Sequence, residues 1–146
     1  MAYDVRTSIC YDISMNEPCF YRVSVKGIVI DDQNRILLAR ESDGMWDMLG
    51  GGLDHGEDPI VCLKREIQEE TGLTVTQVWP GPKYFITAHK PANNVYIANV
   101  IYQIEFRDLN FTPSDECQEL RFFTKEELAS LQLQPNMKKF RELLLA

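Results

Sequence analysis

Glu57, Glu66, Glu69 and Glu70 crowd one short stretch of the chain, and Lys64 and Arg65 are the only basic residues among them. On a helix, positions i, i+3 and i+4 share a side, so Glu66, Glu69 and Glu70 present carboxylates from one flank. Like charges at that spacing repel by a few tenths of a kcal/mol per pair when exposed, and by more where water is excluded. A divalent cation removes the conflict. Magnesium prefers oxygen ligands, keeps several waters and usually takes one or two protein carboxylates per ion, so this helix can hold more than one ion jointly with a phosphorylated substrate. Bound ions would screen the substrate's charge, orient the reacting phosphorus and lower the pKa of an attacking water. The plainer alternative is a solvated acidic face, partly neutralised by Lys64 and Arg65.

The elements around these acids follow from local signals. Asp58 suits an N-cap, Pro59 the first helical position and Gly72 the stop. At about 100° per residue, Ile60, Leu63 and Ile67 make one apolar stripe beside the acidic flank. Upstream, "ESDGMWDMLGGGLDHGED" reads as a long loop, whose Gly50, Gly51 and Gly52 permit sharp bends and close approach to a ligand. Before it, "YRVSVKGIVIDDQNRILLAR" reads as a hairpin turning at "DDQN". Downstream, "LTVTQVW", "YFITAH", "VYIANVIYQIEF" and "ELRFF" read as strands, the middle two joined by "KPANN". Thr124 and Glu127 make a capping-box pattern. A final amphipathic helix, "NMKKFRELLLA", takes Asn136 as its cap. Strands, helix, strands, helix predicts an α/β or α+β sandwich with a mixed sheet between helices.

The 146 residues fit one domain spanning 1–146, and 45% hydrophobic residues suit a globular core. A formal charge of −7 argues against a nucleic-acid polymer as partner, but not against a small phosphorylated ligand met by metal ions. No apolar run approaches the roughly 20 residues of a membrane span. The opening "MAYDVRTSICYDISMNEP" lacks a signal peptide's apolar core, so a cytoplasmic protein with no membrane partner is expected. Cys10, Cys19, Cys62 and Cys117 form no CxxC pair and no zinc spacing with His55 or His89, so they are read as reduced and structural.

The stretch "GGLDHGEDPIVCLKREIQEETGL" carries more than charge. Gly51 is followed after five residues by Glu57, and after seven more by Arg65 and Glu66; Ile67, Glu69, Glu70, Gly72 and Leu73 complete the pattern. This resembles a full box of the Nudix hydrolase superfamily, and the resemblance extends over most of residues 20–130 through "VKGIVIDDQNRILLAR", "GMWDMLGGGLDHGE" and "DECQELRFFTKEEL". It implies an α/β/α sandwich and hydrolysis of a nucleoside diphosphate linked to another moiety. Glu66, Glu69 and Glu70 would bind divalent metal, Mg2+ or alternatively Mn2+, and Glu57 would bind or orient it through water. Gly50 or Gly51 would offer a backbone carbonyl. Arg65 would hold a carboxylate, Glu69 or Glu57, in place. An acid before the last strand would serve as ligand or general base: Glu116 first, Glu119 and Asp115 as alternatives, with Glu66 also a candidate base. One departure is Leu49, where the family commonly has a proline that would stiffen φ.

For the remaining candidates the plain reading comes first. Trp46 is assigned to packing and His55 to an exposed loop, while His89 is a candidate for the pocket border. Phe20, Tyr21, Phe85 and Tyr96 pack the core or offer a stacking platform for a base. Arg22, Arg40 and Lys83 are candidate phosphate contacts, and Cys62 is buried filler. The substrate expected from the resemblance is a (deoxy)nucleoside triphosphate or small nucleotide derivative. The alternatives are a nucleotide-sugar pyrophosphatase of the ADP-ribose kind, or a catalytically weak nucleotide-binding module. A homodimer is an option that no residue pattern marks.

Overall fold

The computed structural model describes residues 18–146. The opening stretch read for its lack of a signal peptide, with Cys10, lies outside the described residues up to position 17. The strands are β1 (Arg22–Ile28), β2 (Ile36–Arg40), β3 (Trp46–Asp47), β4 (Leu49–Gly52), β5 (Val75–Val78), β6 (Tyr84–Lys90), β7 (Val95–Phe106) and β8 (Glu119–Phe123). The helices are α1 (Pro59–Thr71) and α2 (Pro135–Leu145), with a 3-10 turn at Glu127–Ser130. One sheet runs β4-β1-β7-β5, with β6 also on β7; a second runs β3-β2-β8. β1 and β7 are parallel and the other pairs antiparallel, so the larger sheet is mixed.

Two-residue alternation explains why the sheets lie between helices. Val25 on β1, with Leu37 and Ala39 on β2, joins Leu63 and Ile67 of α1 in one core. Ile28 on β1, with Ile36 and Leu38 on β2, joins Met137 and Phe140 of α2 in another. Both faces of the sheets are thus covered; β2 reads as a nearly continuous apolar run, while β1 keeps Arg22, Ser24 and Lys26 on one side.

Helix α1 follows its sequence signals. Asp58 Oδ1 accepts the N–H groups of Ile60 and Val61 at 2.8 and 3.2 Å. Gly72 sits at φ 72° and donates its N–H to the Gln68 carbonyl. Leu63 and Ile67 are fully buried, each contributing about 2 kcal/mol. Ile60 lies at the margin, and Cys62 fills the space beside Leu63. The Thr124–Glu127 capping box also forms, each backbone N–H meeting the other's side chain, but it opens the short 3-10 turn.

Three local expectations are corrected. The hairpin over residues 21–40 closes only at its tip, where Leu37 N–H reaches the Val29 carbonyl at 3.1 Å and Ile30 bridges Ile36. Below that tip the arms part into different sheets, β1 to β4 and β7, β2 to β3 and β8, so that each arm has a hydrogen-bonded neighbour on both edges. The glycine-rich loop contains the strands β3 and β4, since Gly50 and Gly51 leave the room that β4 needs beside β1 and α1. Asn136 is not the cap of α2: Gln134 takes that position without a side-chain bond and Pro135 begins the helix, leaving the Asn136 side chain for a buried contact.

Candidate active site

Helix α1 carries Arg65 at the centre of its acids. The guanidinium grips Glu57 with two bonds, Nε to Oε1 at 2.7 Å and Nη2 to Oε2 at 2.9 Å. Its Nη1 donates to Glu66 Oε1 at 2.7 Å and Glu69 Oε2 at 3.2 Å. The sequence left Glu57 and Glu69 open as partners; Arg65 takes both, and Glu66 besides. The Arg65 contact pulls the Glu57 carboxyl down to about 2, while these acids hold the guanidinium more firmly protonated than usual. Glu69 stays the most exposed of the three.

The other acids face inward, onto a cavity of about 470 Å³ lined among others by Gly50, Gly51, Glu66, Glu70, Asp115 and Glu116. That size suits a small ligand. Gly51 passes so close to α1 that a Cβ there would overlap the Glu66 carboxylate. Gly50, at φ 111°, adopts backbone that side chains rarely tolerate, and a Cβ would strike the Val25 carbonyl. Glu70 is pushed up to about 7, first by burial and then by the like charges of Glu66 and Glu116, against the pull of Lys26. Glu116 is brought here by Ser114. The serine hydroxyl donates to the Glu70 carbonyl at 2.8 Å and accepts the N–H groups of Glu116 and Cys117 at 3.2 and 3.1 Å.

A buried network borders the same cavity. Lys26 Nζ donates to Asp47 Oδ2 at 3.1 Å, the Met48 carbonyl at 3.2 Å and the Gly50 carbonyl at 2.8 Å. Burial opposes its charge, but Asp47 and Glu70 outweigh that and raise its pKa. Asn136 Nδ2 donates to both Asp47 oxygens, at 2.8 and 3.0 Å. The ammonium thus bridges the carbonyls on either side of Leu49, holding backbone that lacks a proline. Glu41 lines the same cavity; burial and then the charge of Asp47 raise its pKa, and it accepts from Gln134.

Of the sequence candidates, Glu66, Glu70, Gly50, Gly51, Asp115, Glu116 and Arg22 line the cavity; Glu57, Arg65 and Glu69 do not. Glu119 pairs with Arg40 at 3.0 Å and does not line it. Trp46 packs edge-on against Phe123 in the core. His55 is exposed, and His89 stacks on Tyr96 and bonds Asn94 outside the lining. Strand alternation puts Tyr21, Tyr96 and Phe85 on the sheet face opposite Arg22, Ile97 and Ser24, and Phe20, Tyr21, Phe85 and Tyr96 are exposed rather than core. Lys83 bonds Gln103 at the surface.

Sequence reasoning missed Lys26, Glu41, Asp47, Lys90 and Ser114. One signal was available: Arg22, Ser24 and Lys26 alternate with Val23, Val25 and Gly27, which is the pattern of a strand with one polar face.

Among the described residues, no three carboxylates, imidazoles or thiols stand close enough to enclose an ion by themselves. The available donors are carboxylate and carbonyl oxygens, a hard set suited to magnesium or manganese. An ion shared with substrate phosphates needs only about one or two protein carboxylates, so Glu66 and Glu70 beside Glu116 fit such an ion without a ready-made cage.

The family model described as "NUDIX domain" matches residues 20–144. A MutT-like protein of Streptomyces ambofaciens is 41% identical over 59 residues, 40% of this chain and 38% of that one. An NAD-capped RNA hydrolase NudC of Mycobacterium tuberculosis is 31% identical over 112 residues, 69% of this chain and 32% of that one. The chain thus spans less than half the length of the curated relatives it matches. Among solved structures, a MutT NUDIX hydrolase from Burkholderia pseudomallei aligns with TM-score 0.71 at 22% identity, over 85% of this chain and 98% of that one. The E. coli ORF135 protein aligns with TM-score 0.70 at 22% identity, over 88% and 94%. The structural matches establish the shared sandwich fold. Among the described residues, no helix is long and apolar enough to cross a membrane.

Proposed function

The chain belongs to the NUDIX domain family, whose members are pyrophosphohydrolases that generally use divalent cations, and on that premise we propose that it hydrolyses the pyrophosphate bond of a nucleoside diphosphate linked to another group. The substrate is a (deoxy)nucleoside triphosphate or a small nucleotide derivative, the cation magnesium or manganese, and residues 1–146 act as one domain. The observation that carries this reading is Glu70, half-buried and lining one cavity with Glu66 and Glu116, whose like charges make its ionised form need a cation.

Glu66, Glu69 and Glu70 would hold the divalent ion, Glu66 and Glu70 from the cavity lining and Glu69 from outside it, with Glu57 acting through water. Bound there, the cation would neutralise charge developing on the phosphoryl oxygens and acidify an attacking water. The remaining work falls to the chain's own groups. Arg65 fixes the rotamers of Glu57, Glu66 and Glu69. Glu116, on the loop pinned by Ser114, takes the proton from water, with Glu66 as the alternative base. Gly50 lines the cavity, and its carbonyl, already accepting from Lys26, has a second lone pair to offer.

A panel of nucleoside triphosphates, nucleotide sugars and dinucleoside polyphosphates, assayed with and without magnesium, tests the proposal. Glu69→Gln is expected to lose roughly a hundredfold in kcat. Tight nucleotide binding without turnover on any panel member would instead favour a nucleotide-binding module.

A further inference from the structure

Three cations line the cavity, Arg22, Lys26 and Lys90, against six carboxylates, Glu41, Asp47, Glu66, Glu70, Asp115 and Glu116. An anionic ligand entering this field needs a donor still free to meet it. Lys26 has none: an ammonium carries three N–H groups, and its three acceptors are Asp47, Met48 and Gly50. Arg22 is partly committed, Nη1 to the Leu53 carbonyl at 2.8 Å and Nη2 to Asp54 at 3.5 Å. Lys90 has no ion pair and no side-chain hydrogen bond among the described residues. Its backbone is fixed, since it ends β6 in register with Val95. The side chain is half-buried at the cavity wall, where its charge acts on Glu41.

Glu66 and Glu70 from α1 and Lys90 from the end of β6 line one cavity of about 470 Å³, so a ligand held at the two acids has Lys90 among its other neighbours. We infer that Lys90 is a specificity-determining residue, taking an additional anionic phosphoryl group carried beyond the pyrophosphate, and so favouring nucleoside triphosphates over nucleotides with a neutral substituent. Glu41, which feels the Lys90 charge, accepts from Gln134 and forms no ion pair with Lys90, so among the described residues the ammonium keeps its donors for the ligand. This inference rests on the pyrophosphohydrolase reading above.

The test compares kcat/KM for a nucleoside triphosphate and a nucleotide sugar in wild type, Lys90→Gln and Lys90→Arg, with equilibrium binding of a non-hydrolysable imido-triphosphate alongside. Lys90→Gln is expected to lower the triphosphate-to-sugar ratio about tenfold, through KM rather than kcat, and to weaken imido-triphosphate binding by about the same factor. Lys90→Arg keeps the wild-type ratio, because the charge remains. An unchanged ratio, or a Lys90→Arg ratio no better than that of Lys90→Gln, overturns the inference. If wild type turns over neither substrate, the hydrolase reading fails, and the binding measurement alone then decides the role of Lys90.

Discussion

Ser114 hangs the loop before β8 from the last turn of α1, its hydroxyl donating to the Glu70 carbonyl at 2.8 Å. The same oxygen accepts the Glu116 and Cys117 N–H groups, so one side chain sets the distance between the acid on the loop and the acid on the helix. Ser114→Ala is expected to cost about 1 kcal/mol of stability and to lower kcat roughly tenfold with little change in KM. Urea unfolding and steady-state kinetics together check this; a variant with unaltered kcat would show that Glu116 needs no such placement.

Arg65→Lys keeps the charge but loses the planar fork that meets both Glu57 oxygens while also reaching Glu66 and Glu69. The expected loss is roughly tenfold to a hundredfold in activity or metal affinity. Manganese titration of the folded variant, read by its effect on water relaxation, separates this from simple unfolding. Wild-type affinity in Arg65→Lys would mean that the fork orients nothing the ion uses.

Lys26→Met removes a buried ammonium and leaves the nearly inaccessible Asp47 carboxylate with Asn136 and a backbone N–H, but no cation. The expected cost is about 3–5 kcal/mol, with partial recovery in the Lys26→Met, Asp47→Leu double variant, which removes the stranded charge. Chemical denaturation measures both. If the single variant is as stable as wild type, the network does not hold β4 and α2 together.

The half-buried Glu70 gives a pH dependence of definite sign. Its carboxyl rises from an ordinary 4.5 to about 7, first through burial, so the folded protein binds this proton more tightly than the unfolded chain. The corresponding stability is fully present below about 4.5 and is lost as pH rises through about 7. A divalent ion needs the ionised form and relieves the repulsion, so the magnesium-induced rise in Tm is expected to grow from about pH 6 to about pH 8. A magnesium effect that shrinks over that interval would count against Glu70 as a ligand.

Much of the site is legible one residue at a time. Asp58, Pro59 and Gly72 mark the ends of α1 because capping depends on groups within a few residues of each other. The acidic flank follows from helical spacing alone, and β8 spans the same Glu119–Phe123 stretch that reads as a short strand in the sequence. The hairpin over residues 21–40 misled because a hydrophobic run tells that a strand is buried, but not against which neighbour. Asn136 looked like a cap because caps and buried amides use the same residue type; its actual partner, Asp47, lies 89 positions away.

The sequence by itself determined the helix, its ends and the chemistry of the acids it bears, because these depend on periodicity and on side-chain type. Only the tertiary structure decided which acids face the cavity, that Lys26 spends its donors on protein while Lys90 has no side-chain partner among the described residues, and that Ser114 brings Glu116 to Glu70. Those relations join strands and loops distant in the chain, and a through-space contact leaves no spacing in the sequence from which to read it.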